Sequence, residues 1–398
     1  MSSNIGPEAK AAYQKYLDAS SLEEKINKLE EFISLVPKHK STEKIVALNR
    51  SRLAKLKREL EERKHRLKSA KKVISPFSIK KEGVQVILAS DYHTPGVGKT
   101  TLLNYLTGAA KDRIGKFTTL PEIGIYEYKG IRFQIVDMPS LMEGASKGIG
   151  NGKEILSQLR SSDLICLCID LSRDIYTQMD VLLTELSNAD VKINVPPPPI
   201  TVEKTGSNKI QIYYITKEAH NNKNIEELNE KIKEVVQEAG IRNAIVKIYG
   251  EITIGKVVDA LTPSIVYKNA MILGTKGDLP QTEVAFHKLK SRFSDKFPLI
   301  IGTSVKKKNF PKNFGEIILR FLKKIKIFTM DTHGILAEKP LIMDEGATVR
   351  DVALRIHRSF FELFDYAIVV RESARQKRKK VGLKYTLENN DIIEIHTV

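Results

Sequence analysis

The chain has 398 residues, 41% hydrophobic and 28% charged, which is long enough for two to four soluble domains that each bury a core. No apolar run approaches the ~20 residues that a membrane span needs, and the opening MSSNIGPEAK has no apolar signal core, so membrane and secretory roles are not expected. The formal net charge of +17 points to a polyanionic partner, nucleic acid first, unless it is a lysine-rich surface of the heat-adapted kind.

Residues 7–70 read as helices. Ile26, Leu29, Phe32, Ile33 and Val36 recur at helical spacing until Pro37 stops them. A longer helix follows, with Ile45, Leu48, Leu53, Leu56 and Leu60 as its apolar stripe against a basic face. SPFSIKKEG then breaks the pattern as a linker, which puts a basic helical region at 1–80. Basic residues cluster at 49–72 and again at 371–380, which favours a nucleic-acid or ribosomal partner; a solvated helix face is the plainer alternative.

From 84 onward strands and helices alternate, the texture of a parallel sheet. Strands are expected at 84–90, 123–129, 131–137, 164–170, 268–274 and 298–302. Helices are expected near 99–109, 151–160, 174–188, 281–294 and 312–323. Cys166 and Cys168 alternate within one apolar strand, so they share a face but cannot close an unstrained bridge. They read as buried thiols in a reducing cytoplasm. Residues 191–261 interrupt the alternation with strands around a proline run and two helices, an inserted α+β domain too patterned to be a loop. The flanking pieces, 81–190 and 262–324, then form one α/β domain. After 325 the chain is β-rich around a single amphipathic helix opened by Thr348.

The stretch YHTPGVGKTT, between a strand and a helix, has the spacing of a phosphate-cradling loop whose first position is His93. The loop of Pro95, Gly96, Val97, Gly98, Lys99, Thr100 and Thr101 would wrap a β-phosphate with the backbone N–H groups of its non-proline residues, at a helix N-terminus that favours anions. Lys99 would reach the β- and γ-phosphates, and the Thr100 hydroxyl would ligate Mg²⁺. About forty residues on, VDMPS ends a strand with Asp137, a second Mg²⁺ anchor, and puts Ser140 where a DxxG glycine would contact the γ-phosphate. Between them lies KFTTL, whose Thr119, or else Thr118, could complete the metal shell when a γ-phosphate is present.

TKGD then selects the base. The Asp278 carboxylate can accept from guanine N1–H and N2–H₂, a pair adenine lacks. The Lys276 stem packs across the base, and Thr275 braces the loop. TSVK sets the Ser304–Val305 backbone against guanine O6. The ligands expected are therefore GTP or GDP with Mg²⁺. Lys99, Thr100 and Thr119 are the candidates for the catalytic step, and Thr100, Thr119 and Asp137 are those for the metal.

The order of basic helices, TPGVGKTTLLNYLTG, FTTLPEIGIYEYKGIRFQIVDMPSLMEGA, RSSDLICLCIDL, TKGD and a β-rich tail resembles the Obg-related DRG family of GTPases, in its archaeal form, over nearly the whole chain. The resemblance implies a P-loop GTPase domain, an insertion like ribosomal protein S5, and a C-terminal TGS domain of β-grasp fold at 325–398. It also implies work with ribosomes or structured RNA, with a protein activator possible. The chain departs from the family at His93 and Ser140, where glycine is usual, and at Thr275, where asparagine is usual. Leu141 stands where small GTPases put a water-orienting glutamine, so hydrolysis should be slow without help. Gly96 replaces the asparagine of potassium-stimulated relatives. The alternative is an RNA- or ribosome-binding module that holds guanine nucleotide but hydrolyses it poorly or not at all.

Overall fold

The structure, a computed structural model, describes residues 6–19, 22–37, 42–70, 75–205, 209–220, 224–331, 333–371 and 377–397. The end of the first basic run, 71–72, and half of the second, 372–376, lie outside the described residues. The chain forms two compact units, Met1–Ser75 and Pro76–Val398.

The first unit holds α1 (Pro7–Asp18), α2 (Leu22–Leu35) and α3 (Glu43–Ala70). Ala9 and Ala12 of α1 pack on Leu29, Phe32 and Val36, and the inner face of α3 adds Ile45, Val46, Leu53 and Leu56. Leu48, expected in that stripe, is instead 54% exposed. Asn49 takes the inward position and donates from Nδ2 to the Ile45 carbonyl (2.8 Å), while its Oδ1 is buried without a hydrogen-bond partner.

The second unit begins at Pro76, and Phe77 already packs in its core, so all of the linker but Ser75 belongs with it. Its first part runs β1 (Val84–Ala89), α4 (Lys99–Thr107), β2 (Glu122–Tyr128), β3 (Ile131–Asp137), α5 (Gly152–Ser161), β4 (Leu164–Asp170), α6 (Ile175–Asn188) and β5 (Val191–Ile193). Next come β6 (Ile200–Lys204), β7 (Ile210–Tyr214), α7 (Ile225–Glu238), β8 (Ala244–Ile248) and α8 (Ile254–Leu261). The chain then returns through β9 (Val266–Thr275), α9 (Thr282–Phe293), β10 (Ile300–Gly302) and α10 (Phe314–Phe321). It ends with β11 (Lys324–Met330), β12 (Leu341–Asp344), α11 (Val349–Ile356), α12 (Arg358–Glu362), β13 (Phe364–Val370), β14 (Arg378–Val381) and β15 (Asp391–Thr397).

The large sheet has the order β10-β9-β4-β1-β3-β2, with only β2 antiparallel. Its central strands are largely apolar because both faces are covered. Ile87, Ile165, Leu167 and Ile272 face one core, with α5 and α6. Val86, Leu88, Cys166, Cys168 and Leu273 face the other, with α4 and α10. The two thiols thus share a face, and burial pushes the Cys168 pKa up to about 12.

β5 pairs in parallel with the start of β9, so residues 191–193 extend this sheet even though they open the stretch expected as the insertion. The insertion's own sheet is β6-β8-β7, with α7 and α8 against it. The C-terminal sheet is β12-β11-β15-β13-β14. The single helix expected there is broken at His357, whose extended backbone (φ −168°) ends α11. Its Nδ1 accepts from the Ser359 amide (3.2 Å) and starts α12 in a new direction.

Candidate nucleotide site

Parallel strands leave their C-terminal ends open at one edge of the sheet, which is where the functional side chains gather. The loop leaving β1 turns into α4 through Gly96 and Gly98, both at positive φ (71° and 103°), a conformation that suits glycine. Lys99 follows at the first helical position and is almost buried. Its Nζ donates to Ser90 Oγ (2.7 Å) and Ser140 Oγ (3.2 Å) and lies 4.0 Å from Asp137 Oδ1.

Asp137 closes β3 and is fully buried. Thr100 Oγ1 donates to its Oδ2 (2.5 Å), and Thr118 Oγ1 reaches the same oxygen at 3.3 Å. Oδ1 is buried without a hydrogen-bond partner. Burial raises the Asp137 carboxyl above the usual range, against the opposing pull of Lys99, Thr100 and Thr118.

An orphaned carboxylate oxygen beside two hydroxyls is a hard-oxygen set that fits Mg²⁺. Among the described residues no group of three or more His, Cys, Asp or Glu could hold a metal. An ion here would therefore lean on these hydroxyls and on a ligand's own oxygens. The threonine brought to Asp137 is Thr118. Thr119, the first choice from sequence, is exposed and lines a groove of about 350 Å³ with Tyr92, Phe117 and Met142. Thr118 borders that groove too, but its hydroxyl is the one that reaches Asp137.

The TKGD segment borders a pocket of about 300 Å³, lined by Gly96, Thr101, Thr275, Lys276, Asp278 and Val305. Thr275 Oγ1 lies 2.7 Å from the Val97 carbonyl and 3.1 Å from that of Ile169, tying the phosphate loop to β9 and β4. Ser304 Oγ donates to Asp278 Oδ1 (2.7 Å). That bond, with Lys306 and Lys307 nearby, holds the carboxyl below its usual range. The Ser304 amide, expected from sequence to face guanine, donates to the Asn309 carbonyl (3.0 Å) and closes a turn. Pro95 is exposed at the rim. His93 is also exposed, with Nε2 3.7 Å from Glu143.

Three positioning residues were not singled out from sequence. Ser90 holds Lys99. Asp170, buried at the end of β4, accepts from Lys276 Nζ (2.7 Å) and so holds that lysine at the edge of the pocket it lines. Its place as the charged end of an apolar strand was a visible signal. Glu185 of α6 accepts from the Gly144 and Ser146 amides (2.7 and 2.8 Å) and fixes the loop after Ser140. Burial opposes its charge, yet these amides and Lys147 hold its carboxyl below the usual range. Nothing local in the sequence pairs residue 185 with residue 144.

A phosphate loop, a buried metal-type carboxylate and a braced TKGD aspartate on one sheet edge define a P-loop GTPase domain, here followed by a TGS domain. Residues 94–204 match the family described as 50S ribosome-binding GTPase, and 325–397 match the TGS domain. An uncharacterized GTP-binding protein of Methanocaldococcus jannaschii is 33% identical over 95% of this chain and 93% of its own length. One from Halobacterium salinarum is 30% identical over 94% and 98%. Developmentally-regulated GTP-binding protein 2 of Homo sapiens is 28% identical over 94% and 98%. The chain belongs to this family of developmentally-regulated (DRG) GTP-binding proteins.

Proposed function

We propose that this protein is a slow, Mg²⁺-dependent GTPase whose nucleotide state governs its hold on a ribosomal or RNA partner. The observation that carries the proposal is that Lys99, Thr100 and Asp137 converge directly after the Gly96–Gly98 loop, which itself borders the pocket holding Asp278. Lys99 would neutralise the β- and γ-phosphates, and Thr100, Asp137 and Thr118 or Thr119 would hold the ion. When bound, Mg²⁺ would supply positive charge beside the phosphate oxygens. The Gly96 to Thr101 amides would bind the remaining charge, and Asp278 would select guanine.

Leu141 is fully buried and paired on both sides by backbone bonds, Leu141 N to Ser90 O and Tyr92 N to Leu141 O (2.8 Å each). No side chain at that position can orient water, which supports slow turnover. Competition binding tests the base: GTP and GDP should displace a labelled GDP while ATP does not, and an ATP preference would end the proposal. The same Leu141 geometry favours one rival, a ribosome- or RNA-binding module that holds nucleotide without hydrolysing it. Single-turnover hydrolysis separates the two, since a rate unchanged by Lys99→Ala supports the module.

The family description, the TGS domain and the net charge of +17 support the ribosomal or RNA partner. A cytoplasmic location and a protein activator are consistent with this reading. No helix of the described residues is long and apolar enough to cross a membrane.

A further inference from the structure

The far end of the large sheet carries a second concavity. A cleft of about 740 Å³ opens between the N-terminal ends of β1 and β3 and the C-terminal strand β12. Gly130 takes a positive φ (76°) in the β2–β3 turn, which lies beside this segment: a Cβ there would stand in ordinary contact with Pro340 Cδ, at 3.5 Å. Ile125, Ile131 and Leu341 contribute apolar surface. Five cations line the walls, of which Lys81 and Lys324 are neutralised by Asp163 and Asp344 (2.6 Å each).

Arg132, Lys339 and Arg355 are exposed and, among the described residues, form no ion pair. The lining's one other carboxylate is Glu82, so the unpaired groups leave an excess of positive charge. Lys129 adds another cation at the adjacent turn, its Nζ 5.3 Å from the centre of the Tyr128 ring.

We propose that this cleft binds the phosphodiester backbone of a single-stranded RNA segment through Arg132, Lys339 and Arg355. The inference rests on the RNA-partner reading above and gives it a place on the molecule. Two guanidinium groups offer forked donors matched to phosphate oxygens. The apolar surface between the charges suits sugars and bases, and a concave site excludes the plane of a bilayer. Arg132 lies five residues before Asp137 on the same strand, about 17 Å at the usual strand rise. The cleft is therefore separate from the nucleotide site.

The test is fluorescence anisotropy with a labelled twelve-uridine RNA, full-length protein and KCl from about 50 to 200 mM. Arg132→Glu/Lys339→Glu/Arg355→Glu should weaken binding at least about tenfold at low salt. It should also flatten the log–log salt slope by about 2, because each lost single-strand phosphate contact contributes about 0.7. Lys290→Glu/Arg292→Glu/Lys296→Glu makes the same charge change on and just after α9, and should bind RNA within about twofold of the parent.

Equal loss in both variants would reduce the effect to overall charge and overturn the proposal. Unchanged binding in the cleft variant would also overturn it while leaving RNA binding elsewhere, such as α3, intact. No binding by the parent protein would remove the RNA reading itself. Displacement of the RNA by oligoglutamate as readily as by unlabelled RNA would assign the cleft to an acidic peptide. GDP affinity and melting temperature report folding. If the triple variant unfolds, Arg355→Glu alone should still weaken binding about threefold, and no change would count against the cleft.

Discussion

Thr275 offers a sharp test of how the phosphate loop is held. Its hydroxyl has one proton and two carbonyls within reach, Val97 O at 2.7 Å and Ile169 O at 3.1 Å, and the residue is 5% exposed. Thr275→Val keeps the shape and removes the donor, leaving the Val97 carbonyl without this bond in a dry place. Losing one partner of a buried hydrogen bond costs about 1–3 kcal/mol. Because the bond joins the loop to the base-reading strand, the loss should fall on nucleotide affinity, about 5- to 150-fold for GDP. Thr275→Asn supplies two amide protons, one for each carbonyl, and should tighten GDP by about fivefold, the worth of one added bond near 1 kcal/mol. Titration of a fluorescent GDP analogue against the three proteins measures both changes. A valine variant within twofold of the parent would refute the brace, and so would an asparagine variant that binds more weakly.

Asp137 makes a prediction of opposite sign for stability and function. Burial raises its folded pKa, so in the window above the unfolded value the folded state keeps a proton that the unfolded state has lost. Stability therefore falls as pH rises through that window. Asp137→Asn should melt at the same or a higher temperature at neutral pH without nucleotide, yet lose the Mg²⁺ dependence of GTP binding; a drop of several degrees would contradict this. In the C-terminal sheet, Arg371 holds the buried Asp391 carboxylate with two bonds (2.8 and 2.7 Å), and that pairing raises the arginine's own pKa. Arg371→Ala should destabilise this sheet by about 3–5 kcal/mol in denaturant titration, because it strands a buried charge. Gly152 sits where a Cβ would overlap the Ala145 carbonyl. Gly152→Ala should therefore displace the loop that Glu185 clasps, slow single-turnover hydrolysis and cost about 1–3 kcal/mol, and an unchanged rate would show the loop to be tolerant.

Much of the molecule was legible because the relevant forces are local. A glycine-rich turn between an apolar strand and a helix needs its residues in sequence, so the phosphate loop could be read directly, and TKGD after a strand likewise. Fully apolar strands such as LICLCI announced a sheet covered on both faces. Where alternation allowed two answers one residue apart, the sequence could not choose. Leu48 and Asn49 exchanged roles because a helix face is settled by what packs against it, and Thr118 stands at Asp137 where Thr119 was the first choice. The His357 break was hidden because the residues on both sides keep helical periodicity.

What the sequence determined by itself was the order of elements, the guanine-nucleotide chemistry and the excess of positive charge, since each is carried by contiguous residues. The tertiary structure alone decided which distant groups meet: Asp170 on Lys276, Glu185 on the Gly144 and Ser146 amides, and Arg132 across a cleft from Lys339 and Arg355. These pairings join residues that neighbour each other only after the strands are ordered and the C-terminal sheet is packed, and no local preference of the chain encodes that closure.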